Sequence, residues 1–94
     1  MLAHILDTSG ETSTTVLPED CDSCVDRLKT LVGGELEVVP VPGARYLVFG
    51  ANAKRGAHEI NSIATFMAHE AESIQRSDYL AGTVVLVPQR LLNG

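Results

Sequence analysis

The chain has no tryptophan and only two tyrosines and two phenylalanines, Tyr46, Phe49, Phe66 and Tyr79. Leu, Val, Ile and Ala must therefore supply its packing. Cysteine is scarce as well: Cys21 and Cys24 stand alone, too few to staple a secreted scaffold, so reduced thiols and a cytoplasmic location are expected. No apolar run reaches the eighteen or more residues that span a bilayer. The opening MLAHILDTSG lacks the basic region of a signal peptide and is too short for one. Positive charge is sparse, with seven Lys and Arg against twelve Asp and Glu and a net charge of −5. Phosphate contacts need clustered cations, so no nucleic-acid partner is expected. The acidic residues form no long regular row, which argues against a nucleic-acid mimic.

What is present fits one domain over residues 1–94, with 45% apolar residues enough for a single core of modest stability. Residues 2–6 and 13–17 read as strands around the breakers Asp7 to Gly10, an N-terminal hairpin occupying residues 1–17. Acidic Glu19, Asp20 and Asp22 then open a helix, where negative charge suits the N-terminal dipole. Its apolar stripe is Cys21, Cys24, Val25, Leu28, Leu31 and Val32, and Gly33-Gly34 ends it. Strands follow at 35–41 and 45–49 around Pro42-Gly43. A second helix over about 61–73 starts at Asn61 as N-cap. The last strand, 79–87, is stopped by Pro88, and residues 89–94 read as a loose tail behind a helix and strand core of 18–88.

The order ββαββαβ is an α+β layout: a five-stranded, mainly antiparallel sheet with two helices on one face. That arrangement leaves a surplus. Val38 with Val39, Leu47 with Val48, and Val84 to Val87 are apolar at both parities, as in strands buried on both sides. A second subunit is the simplest cover for the other face, so a homo-oligomer is expected, with Val39, Leu47, Phe49, Val85 and Val87 as its surface. The alternative is that the N-terminal hairpin or the tail, with Leu91-Leu92, folds over it.

Candidate chemistry is thin. Cys21-Asp22-Ser23-Cys24 has redox or half-zinc spacing, but its acidic neighbours disfavour thiolate and both thiols lie on the apolar stripe. Packed core cysteines are the better reading. His4, His58 and His69 show no ligand-pair spacing, and no metal or other cofactor is expected. The six serines carry no nucleophile-elbow context. Glu70 and Glu72 are two apart on a helix and point apart, so they form no acid/base pair. Lys54 and Arg55, just before the second helix at Asn61, are the one candidate ligand site. Two cations and free helix N–H groups there suit a phosphate or carboxylate, although a solvated hairpin tip explains the same residues.

Three pieces carry a resemblance. They are Leu31-Val32-Gly33-Gly34 running into Glu35-Leu36-Glu37-Val38-Val39, the Asn61 start of a helix with Ala64, Ala68 and Ala71, and the closing Ala81-Gly82-Thr83-Val84-Val85-Leu86-Val87. Together they make residues 28–87 similar to the family catalogued as domain of unknown function 3846, small proteins of bacteriophages and of actinobacteria and related bacteria. The family often has Asp where this chain has Thr83, and a basic residue where it has Ser62. The resemblance implies a phage or prophage origin, the host cytoplasm and a small accessory role, and it carries over no catalytic residue. The expectation is thus a non-enzymatic accessory protein that contacts a host or phage protein. The alternative is a module for a small anionic ligand or nucleotide.

Overall fold

The computed structural model, which describes residues 1–56 and 58–93, joins two hairpins through one central strand. β1 (Leu2–Leu6) pairs with β2 (Thr12–Val16), β3 (Leu36–Val41) pairs with β4 (Arg45–Gly50), and β5 (Val84–Pro88) lies between them. The order is β2-β1-β5-β4-β3 with every neighbouring pair antiparallel. This is the α+β fold with a five-stranded antiparallel sheet that the element order implies.

The helices begin and end where backbone chemistry dictates. α1 (Cys21–Val32) is capped by Asp20, whose carboxylate accepts the Ser23 N–H at 2.9 Å. It stops at Gly33, which takes a left-handed φ of 85° and donates its N–H to the Lys29 carbonyl. α2 (Ser62–Glu70) starts at Asn61, as expected from the sequence, but closes three residues early. Glu72 turns left-handed there, at φ 55°, and the Ser73 N–H reaches back to the Ala68 carbonyl at 2.9 Å.

Helix placement corrects the expectation of both helices on one face. β2 ends at one edge of the sheet and β3 begins at the other, so α1 crosses one face on the way. α2 joins β4 to β5 over the opposite face. Successive residues of a strand point to opposite sides, and the cores separate accordingly. Cys24 and Leu28 of α1 pack with Ala3, Val48, Val85 and Val87. Ala64 and Ala68 of α2 pack with Leu6, Leu47, Val84 and Leu86. The two-sided apolar character of β4 and β5 is therefore met within the chain.

The expected oligomer surface is corrected with it. Leu47, Val85 and Val87 are 0% exposed, Leu47 under α2 and the two valines under α1, so they share no surface. Val39 and Phe49 are only half-buried, on the α2 side.

Two further segments differ from expectation. β5 begins at Val84, not at residue 79, because Gly82 adopts φ 74° and breaks the strand. Where a loose tail is expected, α3 (Arg90–Asn93) forms one helical turn and buries Leu91 in the α1 core; residue 94 lies outside the described residues.

Candidate functional site

The chain between α2 and β5, expected in part as the end of the helix and the start of the last strand, instead crosses the sheet as an arch, residues 72–81. Side chains and backbone pin it along its length. The Ser73 hydroxyl donates to the carbonyl of Pro40 on β3. Asp78 closes a turn through its N–H to the Gln75 carbonyl at 2.9 Å, and its own carbonyl meets His69 Nε2 at 2.8 Å. Leu80 donates to Thr65 Oγ1 at 2.9 Å and accepts the Asn61 N–H at 2.8 Å.

Beneath the arch lies a groove of about 880 Å³. That is within the range of small-molecule and cofactor sites, about 300–1,000 Å³. Val39 and Phe49, half-buried beside the α2 core, line the groove together with Ile74, Tyr79 and Leu80 of the arch. The polar lining is Glu37, Glu72, Asp78 and Lys54, together with Ser73 and Gln75. Lys54 stands on the 3-10 turn Ala53–Arg55, where it pairs with Asp78 and lies 4.6 Å from the Tyr79 ring centroid. The hydrogen bond from Lys54, helped by the Tyr79 N–H, holds the Asp78 carboxyl below its ordinary pKa. Among the described residues carboxylates thus outnumber cations along the groove, and Lys54 is already paired.

The expected anion site is not assembled. Lys54 is committed to Asp78, and Arg55 is exposed at the end of the turn. Asn61 is fully buried, its amide donating to the Leu6 carbonyl at 2.8 Å and the Gly82 carbonyl at 2.9 Å while its oxygen accepts the Ala64 N–H at 3.1 Å. It is a structural clasp with no reach to a ligand.

Cys24 is buried and Cys21 half-buried. Burial, with Cys21 beside it, pushes the Cys24 thiol above its ordinary pKa, which opposes thiolate chemistry. Among the described residues no group of three or more His, Cys, Asp or Glu is placed to hold a metal, and no helix is long and apolar enough to cross a membrane.

Sequence reasoning missed the groove. Its available signal was the pairing of Glu37 with Phe49 and of Val39 with Leu47, which sets a carboxylate beside apolar side chains on one face. A second uncovered place is the β1–β2 end of the α2 face, where the cross-strand pair Leu2 and Val16 is 55% and 73% exposed.

No family model, curated protein or solved structure matches this chain.

Proposed function

We propose that this is a non-enzymatic accessory protein of a bacteriophage, working in the host cytoplasm by contact with another protein, and that the groove under the arch is its contact site. The resemblance of residues 28–87 to domain of unknown function 3846 supports the phage origin. One observation carries the mode of action: a large groove with an apolar floor and an acidic lining, while Asn61 is bound up in the fold and Cys24 is buried. Apolar floors with a few polar groups are the usual form of a recognition site.

Self-association belongs to the same reading, moved from the sheet faces to the β2 edge. The Met1 carbonyl accepts the Leu17 N–H and the Glu11 carbonyl accepts the Asp7 N–H. By the alternation of an antiparallel ladder, Thr12, Thr14 and Val16 then direct their backbone groups away from β1. This edge has no proline and no charge, the devices that ordinarily keep edges apart. In a chain of net charge −5, an uncharged strand is also where two copies meet with least repulsion. Two β2 strands related by a two-fold axis satisfy each other.

The test compares immobilised wild-type protein with Ala51→Trp, which fills the groove from an exposed turn position. From an actinobacterial lysate, wild type should retain a protein that Ala51→Trp loses. Retention of the same set by both contradicts the groove as contact site.

A further inference from the structure

The groove's lip is a free strand edge. Glu35 accepts the Ala51 N–H at 2.8 Å, so in the β3–β4 register Glu37, Val39 and Val41 bond to β4 while Leu36, Val38 and Pro40 face outward. Pro40 has no N–H, and its carbonyl is taken by Ser73. Val38, which borders the groove, keeps an outward donor and an outward acceptor. An extended backbone is the partner that pairs with both at once.

The groove's charge narrows the partner further. Among the described residues Glu37 and Glu72 carry no ion pair and Asp78 holds Lys54, the groove's lysine, so a segment laid here meets net negative charge. Glu72 is itself held at a cost. It takes a left-handed φ of 55° that favours glycine, and it puts a carboxylate just past the C-terminal end of α2, where the helix dipole is negative. Strained backbone of this kind gathers at binding sites.

Resting on the reading of the groove as contact site, we propose that its occupant is an extended, basic segment of a partner protein, added as a strand along β3. Its backbone pairs with Val38, one apolar side chain covers Val39 and Phe49, and a lysine or arginine lies among Glu37, Glu72 and Asp78. Electrostatic complementarity sets the choice of partner, and the edge hydrogen bonds set its extended form.

Two end-blocked, fluorescein-labelled hexapeptides test this by fluorescence anisotropy, one alternating lysine with valine and the other alternating glutamate with valine. The lysine peptide should bind with a Kd at least about tenfold lower than the glutamate peptide. Glu37→Lys with Glu72→Lys, both at exposed positions, should reverse that preference. Glu37→Gln with Glu72→Gln should abolish it, and this pair serves if the lysine variant does not fold. N-methylation of the central valine of the lysine peptide should weaken binding by about tenfold, because it removes an edge hydrogen bond. Equal affinity for the two peptides, no saturable binding up to about 1 mM, or indifference to N-methylation overturns the proposal. Groove-dependent capture of a cellular protein, combined with any of those results, would leave the contact site standing and remove only this description of its partner.

Discussion

The side-chain amide of Asn61 lies 2.8 Å from the carbonyl oxygen of Leu6, joining the start of α2 to the end of β1 across fifty-five residues of sequence. The same nitrogen meets Gly82, and the oxygen caps α2 through Ala64. Asn61→Ala removes the cap and leaves two carbonyls without this donor, which should cost about 3 kcal/mol in urea unfolding. Asn61→Asp keeps the cap acceptor but sets a carboxylate against two carbonyl oxygens. Its folded form holds the proton more tightly than its unfolded form, so its deficit should grow as pH rises above the ordinary carboxylate range. A pH-independent deficit contradicts this.

Glu72 is expected to trade stability for binding. Glu72→Gly relieves the left-handed backbone and removes the unfavourable helix-end charge, and it should raise stability by about 1 kcal/mol. The same variant should bind the lysine hexapeptide more weakly than wild type. A destabilised variant, or one that binds unchanged, contradicts the role given to this residue.

Asp20 and Asp78 shape the acid response. The Ser23 N–H and side chain lower the pKa of Asp20, and the Lys54 hydrogen bond followed by the Tyr79 N–H lowers that of Asp78. Both folded values lie below the unfolded ones. Their stabilisation is therefore complete above the unfolded pKa and is lost as pH falls through the folded value. Asp20→Asn with Asp78→Asn should flatten this limb, so that the gap from wild type closes toward low pH. Both groups are solvent-exposed, and screening keeps the effect small. Added salt should shrink the Asp78 part. A gap constant from neutral to acid pH contradicts the assignment.

Val16 tests the edge pairing. By light scattering, wild type should run at twice the 10.0 kDa chain mass, and Val16→Lys should run as a monomer with the same circular dichroism. Val16 is already 73% exposed, so the substitution disturbs no core. A monomeric wild type removes self-association from the account.

The first four strands, the Asn61 cap and the Gly33 stop were legible in the sequence because each has a local signature: β-branched runs between breakers, a capping side chain, a glycine where a left-handed residue is needed; the start of β5 was not. Helix placement was not. It depends on β2 and β3 lying at opposite edges, which no local pattern records. The unbroken run Val84 to Val87 correctly signalled two-sided burial, yet the cover came from α1 and α2 of the same chain. Glu72 ended α2 without glycine or proline, so nothing marked where the arch began.

A photoreactive benzoylphenylalanine placed at Val39 in the groove, and separately at exposed Arg27 on α1, tests the contact site most directly. After irradiation in actinobacterial lysate, the Val39 position should give a discrete protein adduct that the Arg27 position does not. No adduct from Val39, or the same adducts from both positions, would contradict the groove as the working surface of this protein.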